Sequence, residues 1–486
     1  MKSTFTPALS RRGFLAGSAA AGAAFSLQPA WADTQRAFTL RAAPGRARLV
    51  PEPWGESDVW CYGGTVPGPE IRVRQGDRLR IAVENALEED TTVHWHGLRV
   101  PNAMDGVPHL TQAPIAPGET FTYEFDAIDA GTFWYHPHQR SFEQVGRGLY
   151  GALIIEEANP PRVDREMVWV LDDWRLTQDA AISGDFGGFH DMSHAGRLGN
   201  TVTINGRVPD TVPVQAGERV RLRLINAANA RIFSLDFGNL VPQVIALDGQ
   251  PVTPHAPQEA RGRVVIGPAM RVDLMLDMTG APGETVTVID RFFSDRNFEV
   301  VDLAYSATPL RDAPPDWDMA LAPNPLPEPD IGQARRHEVT FTGGMMGGMV
   351  ERQMGLGNGG GGMGGMMGGG MMNRMHDGGI WFVNGVAAEG HILDPMLVLE
   401  RDVSHVIAMT NATAFHHPIH LHGHSFRVIS RDGTPSAHRE WQDTVLMAPR
   451  ERVEVAFVAD NPGDWMFHCH ILEHQAGGMM GVIRVA

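Results

Sequence analysis

Histidines in this 486-residue chain occur in pairs separated by a single residue. Five such pairs are present among 21 histidines, where random scattering would give roughly one. The pairs are His94/His96, His136/His138, His420/His422, His422/His424 and His468/His470. In a β-strand, residues i and i+2 share a face, so each pair can direct two imidazoles into one cleft. The repetition favours a metal centre over a set of ordinary core histidines.

Residues near the C-terminus add a thiol and a thioether to these imidazoles. Cys469, one of two cysteines, stands between two histidines, and His474 and Met479 follow at successive intervals of five residues. With His417, they supply two imidazoles, one thiolate and one thioether. That mixed set forms blue-copper electron-transfer sites, because it suits a metal that cycles between Cu(I) and Cu(II). Zinc is the competing metal, but it would not explain the further histidines nearby.

The elements that must position these residues belong to an internal repeat. The segments RVRQGDRLRIAVENA and PVQAGERVRLRLINA align closely, and each ends on an asparagine and an alanine, at Asn85 and Asn226. A looser third copy, LVLERDVSHVIAMTNA, contains Asn411. A second block follows each copy, and its apolar residues alternate. This alternation is typical of strands with one buried face, and helical periodicity is scarce.

The repeat also shows which copies carry the histidines. The first and third copies each supply four histidines from equivalent positions, whereas the middle copy holds Leu235, Phe237, Val288 and Asp290 there. We therefore expect an all-β fold of three successive β-sandwich domains, of which the middle one is a spacer. The expected domains are residues 34–158, 159–313 and 314–486.

The N-terminal segment, residues 1–32, indicates export. Paired Arg11 and Arg12 precede a short apolar run rich in Gly and Ala, which ends at Ala30-Trp31-Ala32. This pattern predicts a cleaved twin-arginine signal and a periplasmic protein without stable membrane insertion, because the run is too short for a comfortable span. The formal net charge of −17 would become −20 without the three cations of this segment. Such acidity argues against nucleic-acid binding.

The motifs HWHG, HPH, HPIHLHGH and HCHILEHQAGGMM resemble those of the multicopper oxidases, in the order and with the ligand types of that family. The similarity covers the whole chain after the signal. It implies three cupredoxin-like Greek-key β-sandwich domains and four copper ions: one type 1, one type 2 and a coupled type 3 pair. It also implies an enzyme that withdraws electrons one at a time from a substrate and reduces dioxygen to water.

The resemblance assigns each ligand. The blue, type 1 copper would be held by His417, Cys469, His474 and Met479, and the type 2 copper by His94 and His420. The type 3 pair would be held by His96, His136 and His470 on one side and by His138, His422 and His468 on the other. Cys469 would then pass electrons through its flanking histidines to this three-copper cluster.

The resemblance also implies roles for two acids, and we interpret the second cysteine and four further histidines from their residue types. Asp105 and Glu473 look like the acids that similar enzymes place beside the cluster for proton delivery. We expect Cys61 to be a small buried hydrophobe, although a pairing with Cys469 is an alternative. The remaining histidines of interest are expected to be structural or exposed. They are His109, His255, His391 and His424.

Residues 343–375 contain 10 methionines and 15 glycines in 33 residues. A glycine-rich linker would not need the methionines, and thioethers are soft ligands that select Cu(I). The methionines are Met345, Met346, Met349, Met354, Met363, Met366, Met367, Met371, Met372 and Met375. The position of this insert is similar to that in bacterial copper-efflux oxidases. Those enzymes carry an acid and a methionine where this chain has Thr413 and Phe415.

Cu(I) is therefore the expected substrate, with copper detoxification as the function. A laccase-like oxidation of phenols or other small organic reductants is the main alternative, and Mn(II) is a third substrate that the sequence leaves open. A non-catalytic periplasmic copper-binding protein is the alternative from another class, although every expected ligand is present. We expect a monomer whose partners are dioxygen and the reductant.

Overall fold

A computed structural model describes residues 35–258, 262–293, 297–356, 379–388, 390 and 394–486. The predicted export signal lies outside these residues. Residues 35–486 form one compact unit, and most of its regular structure is β-strand. Among the described residues, no helix has both the length and the apolar character that a membrane crossing requires.

The first β-sandwich is formed by strands from residues 35–156. They are β1 Gln35–Ala47, β2 Ser57–Tyr62, β3 Gly68–Arg74, β4 Arg78–Asn85, β5 His94–His96, β6 Thr120–Asp126, β7 Gly131–His136 and β8 Gly151–Glu156. One sheet has the order β2-β1-β4-β6 and the other β3-β8-β7-β5. A core that includes Trp95, Phe125 and Phe133 lies between the two sheets.

The middle β-sandwich is formed by strands from residues 165–305. They are β9 Arg165–Trp174, β10 Thr201–Ile204, β11 Val212–Val214, β12 Arg219–Asn226, β13 Phe233–Asp236, β14 Gln243–Leu247, β15 Gln250–His255, β16 Val264–Ile266, β17 Arg271–Asp277, β18 Thr285–Asp290 and β19 Phe298–Tyr305. The sheet orders are β10-β9-β12-β17-β14-β15 and β11-β19-β18-β13-β16, and the two sheets enclose a core of their own.

The third β-sandwich is formed by strands from residues 335–485. They are β20 Arg335–Gly343, β21 Trp381–Val383, β22 Leu397–Leu399, β23 Ser404–Asn411, β24 His417–Leu421, β25 Phe426–Arg431, β26 Thr434–Pro435, β27 Trp441–Gln442, β28 Thr444–Met447, β29 Arg452–Val458, β30 Gly463–Cys469 and β31 Met480–Val485. One sheet has the order β21-β20-β23-β29-β25-β26, with β27 also on β25, and the other β22-β31-β30-β24-β28.

Helices are short in the described part of the chain. They are Ser141–Gln144, Phe189–Ser193, Gly347–Gln353 and Leu472–Ala476, with a 3-10 turn at Asn102–Met104. The all-β prediction of three sandwiches is thus confirmed, while the exact domain boundaries stay predictions.

The repeated asparagine has the same structural role in each sandwich. The carboxamide Nδ2 of Asn85, Asn226 and Asn411 donates to two backbone carbonyls, at 2.7–2.9 Å. Its Oδ1 accepts the N–H of the residue two positions later, at 3.0 or 3.1 Å. Each asparagine therefore satisfies backbone groups that burial would otherwise leave unpaired, in the turn that leads to the next strand of the site.

The next pair of strands has the same antiparallel pairing in all three sandwiches. His94 lies opposite His136 in β5 and β7, and His420 lies opposite His468 in β24 and β30. In the middle sandwich, Leu235 lies opposite Asp290 rather than opposite Val288, the residue that a gap-free alignment places there. Two more residues separate Gly283 from Asp290 than separate Gly131 from His136 or Gly463 from His468, so the pairing in the middle sandwich is offset by two positions.

Candidate metal centre

Eight histidines of the first and third sandwiches converge on one buried space. All are at most 5% exposed: His94, His96, His136, His138, His420, His422, His468 and His470. The ring of His94 stacks on that of His422 with centroids 3.9 Å apart, and His96 stacks on His420 at 3.8 Å. The two sets of imidazoles therefore meet across the boundary between the first and third sandwiches.

The nitrogens of His422 and His468 face each other in a way that suits a bound cation. His468 Nδ1 donates to the Cys469 carbonyl at 2.9 Å, and His422 Nδ1 donates to the Asp105 carboxylate at 2.9 Å. Each Nε2 of these neutral imidazoles then carries a lone pair, and the two Nε2 atoms lie 3.2 Å apart. Two facing acceptors repel each other, whereas a metal ion between them would bind both.

Within the described part of the chain, several nitrogens of the cluster are buried without a hydrogen-bond partner. They are His94 Nε2, His96 Nδ1, both ring nitrogens of His138, His420 Nε2 and His470 Nδ1. A buried polar atom without a partner is costly, and imidazole nitrogen is a preferred ligand of copper. Burial also lowers the pKa of most of these imidazoles, including His138 and His470, and so favours the neutral form that binds metals. The residues present therefore fit copper.

A separate triad lies where the blue-copper site was predicted. Cys469 Sγ is 3.4 Å from His417 Nδ1 and 3.7 Å from His474 Nδ1, and the two Nδ1 atoms are 3.1 Å apart. Met479 is also fully buried, and its carbonyl accepts the Cys469 N–H at 3.0 Å. Burial raises the pKa of the Cys469 thiol and lowers that of His474 to about 3.

Hydrogen bonds on the outer side of the triad fix its tautomers. Thr413 Oγ1 donates to Asn411 Oδ1 at 2.8 Å and can therefore accept from His417 Nε2, also at 2.8 Å. His474 Nε2 donates to the His194 carbonyl at 2.6 Å. Both Nδ1 lone pairs are thus directed inward. Thr413, which departs from the copper-efflux pattern, supports a ligand of the triad.

Comparisons with known proteins agree with this geometry. Three sequence profiles described as multicopper oxidase match residues 47–160, 165–303 and 369–486. The chain is 31% identical to the multicopper oxidase MmcO of Mycobacterium tuberculosis, over 97% of this chain and 95% of that protein. The chain belongs to the multicopper oxidase family. The oxidase is therefore a copper-dependent oxidoreductase.

Two further likenesses extend over nearly the whole oxidase. It is 26% identical to copper resistance protein A of Pseudomonas syringae pv. tomato, over 98% of this chain and 99% of that protein. The crystal structure of a multicopper oxidase from Pseudomonas thermotolerans has a TM-score of 0.79 and 34% identity, covering 93% of this chain and 100% of that one. The cupredoxin-like character of the three sandwiches follows from such structural neighbours.

The middle sandwich of the oxidase reaches the cluster through an ion pair that the sequence did not predict. Asp443 Oδ1 lies 3.2 Å from His96 Nε2, and its carbonyl accepts from His420 Nδ1 at 2.8 Å. Arg271 of β17 binds both Asp443 oxygens. Burial alone would raise the pKa of Asp443, but the Arg271 charge outweighs it and lowers that pKa. Asp248 Oδ2 accepts the Asp443 N–H at 3.2 Å and completes this network.

The expectation that the middle sandwich is only a spacer is therefore wrong. It contributes Arg271 beside the cluster and the His194 carbonyl beside the triad. It also binds Glu473, whose Oε1 accepts from Asn229 Nδ2 at 3.0 Å and whose Oε2 accepts the Arg197 N–H at 3.1 Å. No spacing or motif marks these residues, because each contact joins positions more than 150 residues apart.

The two predicted acids lie in different surroundings. Asp105 is fully buried and touches the cluster, with Oδ2 on His422 Nδ1 and its carbonyl 2.8 Å from His94 Nδ1. Glu473 is also fully buried, and burial raises its pKa. The described hydrogen bonds of its side chain go to the middle sandwich rather than to the histidines. Proton delivery by either acid stays a prediction.

The other predicted residues fall into three groups. Cys61 is buried in a core cluster, and it and Cys469 are free thiols, so the alternative of a disulfide is wrong. His424 is buried and His255 half-buried, while His391 lies outside the described residues. Four methionines of the insert are described, Met345, Met346, Met349 and Met354. The other six, from Met363 to Met375, lie outside the described residues.

Proposed function

We propose that this oxidase binds four copper ions and oxidises Cu(I), with dioxygen reduced to water. The observation that carries the proposal is the pairing of a thiol-containing triad with a cluster of eight facing histidines. Cys469 belongs to the triad, and its neighbours His468 and His470 belong to the cluster, so a short covalent path joins the two. Copper bound there would supply one-electron transfer at the triad and dioxygen reduction at the cluster.

The side chains divide among the four ions as the resemblance implies. The unpartnered Nε2 atoms of His94 and His420 support one ion between these two residues. The Nε2 atoms of His136 and His470 lie 3.3 Å apart and support a second ion. The Nε2 atoms of His422 and His468 support a third ion. His96 completes the ligands of the second ion, and His138 completes those of the third. Asp105 holds the His422 tautomer that binding requires.

The start of the methionine-rich insert supports Cu(I) as the substrate. The Met345 N–H donates to the Ser193 carbonyl at 2.8 Å, and the next residue, His194, accepts from the triad ligand His474. Met346 and Met349 are 52% and 37% exposed, so their thioethers are available from solvent. Thioethers prefer Cu(I) and need no deprotonation to bind it. The name of the similar copper resistance protein A agrees with this substrate.

Steady-state oxygen consumption tests the substrate. We compare Cu(I) with a bulky organic dye, before and after replacement of the ten insert methionines by serine. We expect kcat/KM for Cu(I) to fall at least about tenfold, a barrier change of roughly 1.4 kcal/mol, with dye oxidation unchanged. Leu356→Ser is the matched control, because Leu356 is an exposed apolar residue of the same segment without sulfur. Unchanged Cu(I) kinetics in the methionine variant would contradict the proposal.

An organic reductant remains the second candidate, because of a cleft between the middle and third sandwiches. The cleft has a volume of about 780 Å³ and is lined in part by Phe292 and His416, whose rings are 5.3 Å apart. His416 directly precedes the triad ligand His417. A bulky replacement such as His416→Trp should lower dye turnover and leave Cu(I) turnover unchanged. The opposite pattern would favour Cu(I) delivery through this cleft.

We also place the oxidase in the periplasm, exported by the twin-arginine route. The support is the Arg11–Arg12 pair before the short apolar run. The Arg11→Lys/Arg12→Lys double variant should accumulate as uncleaved protein in the cytoplasm. Export of that variant in normal amounts would contradict the proposed route.

A further inference from the structure

The cleft between the middle and third sandwiches has a second group of metal-ligating side chains at its rim. His255, at the end of β15, comes from the middle sandwich, and Glu440, just before β27, comes from the third. His255 Nε2 and Glu440 Oε1 are 3.8 Å apart. Neither residue contacts the copper ligands through any hydrogen bond described above. The group is therefore separate from the centre already described.

The tautomer of His255 is set by its own backbone. Its Nδ1 lies 2.8 Å from the Ala256 carbonyl, which can only accept, so Nδ1 carries the hydrogen. In the neutral ring, Nε2 then presents a lone pair toward the Glu440 carboxylate. Nε2 is buried and has no hydrogen-bond partner within the described structure. Two acceptors face each other here, and a cation between them would satisfy both.

Two neighbours complete the group. Gln258 Nε2 donates to Glu440 Oε1 at 2.8 Å and holds the carboxylate beside His255. The exposed ring of His438 stacks on His255, with centroids 4.3 Å apart and an angle of 8° between the planes. A second imidazole is thus available within a few ångströms of the first. Since His438 is exposed, its ring can rotate out of the stack to direct a nitrogen at the same ion.

We propose that His255, His438 and Glu440 form a binding site for a divalent transition-metal cation that joins the middle and third sandwiches. Two imidazoles and one carboxylate are a ligand set for Zn²⁺ or Cu²⁺ and leave a further position for water. Ligand atoms on such an ion lie about 2.0–2.2 Å from it, so the 3.8 Å separation needs only a small adjustment.

The charges around the cleft permit a cation. Arg431 is paired with Glu451 at 2.7 Å, and Arg291 is paired with Asp236 at 2.6 Å. Both arginines line the cleft together with Arg263, and the partners of Arg291 and Arg431 offset the repulsion that these two exert on an incoming cation. The formal net charge of the whole chain is −17, which also favours cation binding.

Zinc is the probe of choice, because it is redox-silent and the copper-loaded enzyme has its other ligands occupied. The copper-loaded protein is equilibrated with Zn²⁺, and both metals are counted by mass spectrometry. We expect one Zn²⁺ per chain above the copper content, and zinc anomalous scattering between His255 and Glu440. The variants His438→Ala and Glu440→Gln should each weaken zinc binding at least about tenfold. Binding that is absent, or equal in both variants and the parent, overturns the proposal.

Arg439→Gln is the matched control, because Arg439 lies between the two variant positions and contributes no ligand. It should bind zinc as tightly as the parent or more tightly. Zinc should also raise the melting temperature of the parent and of this control by more than that of His438→Ala or Glu440→Gln at the same zinc concentration. Equal zinc stabilisation of all four proteins would likewise overturn the proposal. These measurements need no turnover and are independent of the substrate assignment.

Discussion

Arg271 and Asp443 join the middle and third sandwiches through two hydrogen bonds, Nη1 to Oδ1 at 2.9 Å and Nη2 to Oδ2 at 2.5 Å. Both side chains are at most 1% exposed. The same aspartate contacts His96 through its carboxylate and His420 through its carbonyl. The guanidinium therefore determines where two histidines of the cluster are held.

Replacing Arg271 with Met should disturb the cluster as well as the fold. It leaves the buried Asp443 carboxylate without its cation, which costs about 3–5 kcal/mol of unfolding free energy. We expect a lower copper content and an altered electron paramagnetic resonance spectrum of the cluster, with the blue absorption of the triad unchanged. Denaturant unfolding, metal analysis and spectroscopy measure these effects.

Arg221→Met provides the control for that experiment. Arg221 forms an equally buried ion pair with Asp273 at 2.7 Å, also in the middle sandwich, and none of its described hydrogen bonds reaches a histidine. Asp273 keeps a second buried partner, Arg223, at 3.1 Å, so this variant should lose less stability than Arg271→Met and should keep the cluster spectrum of the parent. Matching spectral changes in the two variants would show that lost stability alone explains them.

Gly344 should control the position of Trp381 over the triad. It has φ of 67°, and a side-chain carbon there would collide with the Trp381 ring, whose centroid is 4.3 Å from that of His474. Gly344→Ala should therefore displace the indole and shift the blue absorption band or the reduction potential. Gly355→Ala has a similar φ of 73°, and no atom of the described residues lies within 4 Å of the added carbon, so only the backbone strain of about 1 kcal/mol should remain. A spectrum of Gly344→Ala identical to that of the parent would contradict the prediction.

His405 should make the stability of the third sandwich depend on pH. Burial lowers the pKa of this residue, and it accepts a hydrogen bond at Nδ1 from His337 at 3.0 Å while donating from Nε2 to the Glu400 carbonyl at 3.1 Å. The native state therefore binds its proton less readily than the unfolded state, whose histidine pKa is about 6.5. The contribution of His405 is fully present above about pH 6.5 and is lost as the pH falls from there toward the lower native pKa.

Urea unfolding of the His405→Gln variant at pH 7.5 and pH 5 tests this linkage. The difference in unfolding free energy between the two pH values should be smaller than in the parent. His190→Gln is the control, because His190 is 81% exposed and should leave that difference unchanged. An unaltered pH dependence in His405→Gln would rule out the proposed linkage.

Replacing Cys469 with Ser should remove the blue absorption and nearly all turnover with either Cu(I) or dye. A hydroxyl cannot supply the soft thiolate that this type of site requires. Cys61→Ser is the matched control, because Cys61 is an equally buried free thiol far from the triad in sequence. It should lose some stability but keep the colour and the activity. Substantial turnover by Cys469→Ser would contradict the proposed electron path.

The parts of the site that lie within one repeat could be predicted from the sequence. The period of two along a strand places His94 and His96 on one face, and the repeat predicted equivalent histidine positions in the first and third sandwiches. The structure pairs these positions alike, β5 with β7 and β24 with β30. The gap-free alignment was wrong at β18, because two additional residues precede the one that pairs with Leu235. The register opposite Leu235 therefore had to be read from the structure.

Contacts between repeats could not be predicted in the same way. Arg271 and Asp443 lie 172 residues apart, and each alone reads as an ordinary charged residue of a strand or its end. The role of Thr413 was hidden for another reason. Its small hydroxyl supports His417 only because Asn411 accepts its hydrogen, which depends on the turn geometry. Side-chain hydrogen-bond networks of this kind follow from three-dimensional placement rather than from spacing.

The contacts of the middle sandwich with both metal-binding regions have a practical consequence for chimeric enzymes. An exchange of this sandwich for that of a relative would also replace the guanidinium beside Asp443 and the carbonyl that binds His474. A graft chosen only for matching termini and a compatible surface would therefore yield a folded protein that loads copper poorly. Grafts that retain Arg271 and residues 189–197 should assemble active chimeras.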